Sequence, residues 1–146
     1  MTDIALHWDN NLQEADIALD GPDLAVDDGY FTAVIISLFA DARASADDKI
    51  PDGSDDPRGW WADAVADPIG SHLWLLDRAK LTPENQQRSI DYAKASLAWM
   101  VDDKVAKAVE VTAERRDTNT IAILIQILKP DGSVAGKYDF VWKALK

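Results

Sequence analysis

The carboxylates are the residues of this chain with the most chemistry to offer. Aspartate and glutamate number 26, against 15 lysines and arginines, 2 histidines and no cysteine. Hard cations such as calcium favour clustered carboxylates, and one cluster runs Asp47-Asp48-Lys49-Ile50-Pro51-Asp52-Gly53-Ser54-Asp55-Asp56. Its pattern is wrong for a calcium loop. The ligands do not alternate, Lys49 and Pro51 interrupt them, and no glutamate closes the run at the right distance. Glycoside hydrolysis needs two carboxylates flanking a cleft, one with a raised pKa. Glu110 and Glu114 share a parity on one strand candidate, but their pattern is also that of two solvated strand-face acids. His7 and His72 lie in unlike contexts, without metal-ligand spacing and with no thiolate to join them. Asp131-Gly132-Ser133 is turn chemistry, and the sequence holds no nucleophile elbow, phosphate loop or dinucleotide fingerprint. The expectation is no catalytic residue, no metal and no cofactor.

A net charge of −11 repels phosphate backbones and anionic membrane surfaces, so neither nucleic acid nor membrane is an expected partner. It suits solubility, or docking on a basic protein. The opening Met1-Thr2-Asp3-Ile4-Ala5-Leu6-His7-Trp8-Asp9 has no basic stretch before an apolar run, and no apolar segment is long enough to span a bilayer. The chain is expected to be made and kept in the cytoplasm unless it leaves inside a larger particle. Its 146 residues, 47% of them apolar, point to one ordered domain over 1–146.

The elements that must position any site follow from periodicity. Ile4, Leu6 and Trp8 alternate, as do Ile17 with Leu19 and Leu24 with Val26, giving short strands separated by Asp9-Asn10-Asn11 and Asp20-Gly21-Pro22-Asp23. From Asp28 to about Ala44 the spacing of Phe31, Val34, Ile35, Leu38, Phe39 and Ala42 predicts a helix capped by Asp27 or Asp28. Residues 45–69 form a long acidic connection with a short helical turn expected near Trp60–Val65. Ser71 reads as the cap of a helix over His72–Ala79, and Thr82-Pro83-Glu84 opens another that runs to about Val101. The C-terminal third switches to period two. Val109–Ala113, Ile121–Leu128 and Tyr138–Trp142 predict an antiparallel meander joined by tight turns, its middle strand covered on both faces. The fold class is therefore α+β: short N-terminal strands, three to four helices and a C-terminal three-stranded antiparallel meander.

Tryptophan distribution is the other informative feature. Trp60 and Trp61 sit in the acidic connection just after Arg58-Gly59, and Trp74 follows in Gly70-Ser71-His72-Leu73-Trp74-Leu75-Leu76. Each indole is a large apolar surface with one N–H to satisfy. Either the connection folds back on the core, or these rings face a partner.

These runs carry a resemblance. Together with Asp27-Asp28-Gly29-Tyr30-Phe31, Ser37-Leu38-Phe39-Ala40-Asp41-Ala42-Arg43 and Lys80-Leu81-Thr82-Pro83-Glu84, they make the chain similar to the small baseplate protein family of Mu-like phages and prophages. More distantly it resembles the sheath-initiating baseplate wedge protein of T-even phages and its type VI secretion counterpart. A Glu-Pro-Arg motif marks those distant relatives, and Asp103–Glu110 here lacks it. The resemblance implies a structural part of a contractile tail, made in the host cytoplasm and ending in the virion baseplate. It also implies partners among other baseplate, tube and sheath-proximal proteins. Arg58, Trp60, Trp61, Trp74, Tyr138, Phe140 and Trp142 are the expected interface residues, with strand addition at the edge of the C-terminal sheet as a further contact. The competing readings are a tail-borne cell-wall hydrolase and an acidic decoy that neutralises a basic partner.

Overall fold

A computed structural model describes residues 3–63 and 68–143. Two α-helices lie on one face of a C-terminal sheet, and a group of very short strands closes the end of that core.

The N-terminal strand candidates are each divided at an alanine. β1 (Asp3–Ile4) pairs with β6 (Val26–Asp27), β2 (Leu6–Asp9) with β3 (Glu14–Ile17), and β4 (Leu19–Asp20) with β5 (Asp23–Leu24), all antiparallel. Ala5, Ala18 and Ala25 join the three ladders through a closed ring of backbone bonds. The Ala5 N–H donates to Ala25, Ala25 to Ala18 and Ala18 to Ala5, at 2.8, 2.9 and 3.3 Å. The result is a three-armed clover leaf. Thr32 ties it to the first helix, its hydroxyl donating to Ile4 O and accepting from Leu6 N–H.

α1 spans Tyr30–Phe39, shorter than the spacing predicted. Gly29 is the cap residue, and Asp27 and Asp28 instead accept from the N–H groups of Gly29 and Tyr30. The helix stops at Ala40 because the backbone turns extended and runs beside Ser71. The Ser71 N–H donates to Ala40 O, and the Ala42 N–H donates to Ser71 O. Gly70 makes this approach feasible. Its φ is +99°, and a Cβ there would fall 2.2 Å from Ala40 O.

α2 spans Pro83–Asp102 and starts as its sequence dictates, with the Thr82 hydroxyl accepting from Asn85 N–H and Pro83 in the first turn. Between the helices, only Leu73–Leu76 is helical, as one 3₁₀ turn. This corrects the count. Among the described residues there are two α-helices, not three or four. The His72–Ala79 segment cannot continue as an α-helix because its bonds close at i to i+3 and Arg78 takes a φ of +65°. Near Trp60 the chain makes a single turn, the Asp63 N–H donating to Trp60 O, and Val65 lies outside the described residues.

The sheet is β7 (Ala108–Arg115), β8 (Thr120–Leu128) and β9 (Val134–Lys143), antiparallel in that order. Ile121, Ile123, Ile125 and Ile127 of β8 meet Val34, Ile35 and Leu38 of α1 and Ala93, Leu97 and Met100 of α2 in one core. The opposite face of β8 is not covered as expected. Ala122 is buried there, whereas Leu124, Gln126 and Leu128 are only half-buried.

Candidate functional site: the tryptophan loop and its neighbours

Over residues 45–63 the acidic connection is tied down by hydrogen bonds. Its carboxylates act as local acceptors: Asp48 for Ser45 N–H, Asp52 for Ser54 N–H, Asp56 for Arg58 N–H. Aspartates in such positions close turns on their own backbone. Among the described residues, no three His, Asp or Glu side chains converge in a metal-holding group.

Arg58 anchors the loop to the body. Its guanidinium donates to Asp41 at 2.8 Å and lies 4.4 Å from the centre of the Trp74 ring. Trp74 is 5% exposed and donates its indole N–H to Ala42 O at 2.8 Å. Asp77 stands nearby, and the protein crowding its carboxyl pushes it above the usual carboxylate range, against the pull of Arg58. A second anchor is backbone, from the Ala44 N–H to Pro57 O. Arg58 and Gly59 both take positive φ, +55° and +89°, and Gly59 sits so close to Arg43 and Asp63 that no Cβ fits. This paired left-handed bend aims the two indoles. Trp60 tucks in, half-buried, with its backbone N–H donating to Asp63. Trp61 meets it edge-on at 5.5 Å and is 91% exposed.

The other expected interface residues are less available. Tyr138 packs on Phe31, and burial together with Asp28 and Asp27 pushes its hydroxyl pKa up. Phe140 is 2% exposed and touches Trp8 and Phe39 edge-on. Trp142 is half-buried and lines a groove of about 590 Å³ with Trp8, Phe39, Leu73 and Arg58. Trp74 and Phe140 are thus packing residues rather than contact residues, because their rings fill the interior. Trp61 projects, Arg58 and Trp60 hold it, and Trp142 borders the groove. The stacking of Trp8 on Phe39, 3.7 Å between ring centres, has no signal in the sequence, where Trp8 is one residue of an alternating run and Phe39 one of a helical stripe.

The sheet edges are partly occupied. On β9, the Val141 N–H points away from β8 and donates to the Asn10 amide oxygen at 3.2 Å. On β7, the Gln86 amide donates to Ala113 O. Alternation in an antiparallel ladder turns the backbone groups of Lys137 and Asp139 to the same side as Val141. Glu110 and Glu114 are exposed on the outer sheet face, and Glu114 pairs with Arg116 at 3.6 Å. No helix among the described residues is long and apolar enough to cross a membrane.

Among the described residues this is a small α+β domain with one fully displayed indole and partly occupied sheet edges. The family can be stated directly: the model for the phage protein GP46 family matches residues 30–134, and the chain belongs to that family. It is 46% identical over 141 residues to the baseplate protein gp46 of Escherichia phage Mu, an alignment covering 96% of this chain and 95% of that one. It is 40% identical over 135 residues to the Mu-like prophage FluMu protein gp46 of Haemophilus influenzae, covering 91% of each.

Proposed function

We propose that this chain is a structural component of the baseplate of a Mu-like phage or prophage tail, acting by protein contacts rather than by turnover. The similarity over nearly the whole chain to a protein named for the baseplate supports the role. The observation that carries the contact reading is Trp61, 91% exposed on a loop fixed by Arg58 and Gly59. A large ring held out on a stiff support loses little conformational freedom on docking, which is the character of an interface hot spot. The partners in this reading are neighbouring baseplate, tube and sheath-proximal proteins. A strand from one of them adds at the Lys137–Asp139 half of β9, since Asn10 already occupies the Val141 end. The protein assembles from the host cytoplasm into the tail.

Deleting the gene from an inducible prophage tests this. The expected result is loss of infectious particles with tails that lack a complete baseplate, restored by the chain supplied in trans. Normal contractile tails in its absence would overturn the reading. Purified protein should leave a cell-wall suspension unclarified. Clearing abolished by Glu110→Gln or Glu114→Gln would install the hydrolase reading in its place.

A further inference from the structure

We propose that the clover leaf is a second docking surface, built for an apolar segment of another tail protein that is flanked by lysines or arginines. The sequence repeats one device three times: Ile4-Ala5-Leu6, Ile17-Ala18-Leu19 and Leu24-Ala25-Val26. The alanines form the hydrogen-bonded ring, and the flanking aliphatics pair across the arms as Ile4 with Val26, Leu6 with Ile17 and Leu19 with Leu24. All six adjoin the alanine ring, as three cross-strand pairs around one centre. Leu6 packs against the core, but the other five stand in solvent: Ile4 45%, Ile17 51%, Leu19 71%, Leu24 42% and Val26 61% exposed. Scattered surface aliphatics are ordinary, but five of them gathered around one three-residue ring mark an interaction site.

Charge identifies the occupant. Each arm ends in two acids placed directly opposite one another: Asp3 with Asp27, Asp9 with Glu14, and Asp20 with Asp23. Like charges in that position destabilise a ladder. None of them reaches an ion pair with a lysine or arginine among the described residues, and no lysine or arginine precedes Arg43 in the chain. His7, opposite Asp16, is the one basic side chain on the three arms. A second copy of this chain is a poor occupant, because a twofold contact through this face would bring acidic rims together. A heterologous partner with an apolar centre and basic flanks removes both defects at once. The inference rests on the baseplate reading only for where the partner is found.

Two measurements test it. In the first, purified protein is titrated with a capped decapeptide of alternating valine and lysine, followed by amide chemical shifts. Shifts should concentrate at residues 4–6, 17–19 and 24–26. Affinity should fall at least tenfold in Leu19→Thr with Leu24→Thr, in Asp20→Asn with Asp23→Asn, and for a serine and lysine peptide of equal charge. Shifts centred elsewhere, equal binding of the serine peptide, or concentration-dependent self-association through Leu19 would overturn the proposal. In the second, a photo-cross-linking residue replaces Leu19 or Trp61 in induced lysogens. Cross-links from Leu19 to a different tail protein, at a segment with apolar and basic residues, support the surface. If Trp61 cross-links within the particle and Leu19 does not, the surface falls while the baseplate reading stands. If the chain is absent from purified particles, the baseplate reading falls, and the titration alone decides whether the surface is real.

Discussion

Trp61→Ala separates contact from packing more cleanly than any other single change. The side chain is 91% exposed, so about a tenth of its surface is buried in the free protein. A tryptophan offers roughly 200 Å² to bury. The fraction now covered therefore amounts to about 20 Å², or about 0.5 kcal/mol at about 25 cal/mol per Å². Urea unfolding of Trp61→Ala should shift the stability by no more than about that. Covering the ring in a complex removes most of the remaining area, a gross gain of about 4 to 5 kcal/mol before association costs. Hot-spot truncations of this type retain a net loss of about 2 kcal/mol or more, roughly a thirtyfold weaker contact. Trp74→Ala is the contrast. It empties an interior site, removes the bond to Ala42 O and withdraws the surface under Arg58, so it should lower stability by about 3 to 5 kcal/mol. The assay is paired: unfolding of each purified variant, then yield of complete tails when each complements a deletion. A folded Trp61→Ala that builds tails at the parental yield would refute the contact role of the ring. A Trp61→Ala that unfolds would refute the burial argument itself.

Three further outcomes follow from local geometry. Gly70→Ala should lower stability by about 2 kcal/mol or more in thermal unfolding, because a φ of +99° and a Cβ 2.2 Å from Ala40 O cannot both be relieved locally. Thr82→Ala should cost about 1 kcal/mol through loss of the cap on Asn85 N–H, and Thr82→Ser should recover most of it. Asp77→Asn should stabilise the protein at neutral pH. The native fold holds the Asp77 carboxyl above its ordinary range, so the charged form is disfavoured on folding. That penalty is absent below the unfolded carboxylate range near pH 4, and it grows as pH rises through the folded value. The gain in melting temperature should therefore shrink to nothing in acid, and a gain of equal size at all pH values would rule out this origin.

Periodicity made α2, the meander and the α+β class legible, because each rests on a long run whose apolar spacing admits one element. Thr82-Pro83-Glu84 and Asp131-Gly132-Ser133 carry their chemistry locally, the first capping α2 and the second closing a turn before β9. The misreadings have a common physical origin in tertiary competition for backbone groups. Ala40 and Ala42 continue the helical spacing, yet they bond to Ser71 and leave the helix. Ser71 does supply an oxygen to Leu73 N–H, but the segment closes as a 3₁₀ turn because Trp74 must reach Ala42 O. The six short strands looked like three because nothing in a run such as Ile4-Ala5-Leu6 says that its two ends have different partners. For the interface residues, sequence could place the indoles together but could not orient them. Arg58 and Gly59 adopt positive φ only in the folded loop, and that bend decides which ring is outside.

The distribution of charge also bears on the exposed aliphatics and the exposed indole. Surface this apolar invites self-association. Opposed acids at the end of every clover-leaf arm add repulsion between copies at short range, where an apolar contact would have to form. Neutralising them should therefore act in two directions. Asp20→Asn with Asp23→Asn relieves the cross-strand repulsion and stabilises the free fold, while weakening the barrier to aggregation and the attraction for a basic partner. Stability and assembly competence then move in opposite senses in one doubly substituted variant. A purely structural role for these aspartates would instead make the variant less stable, and leave its solubility and partner binding unchanged.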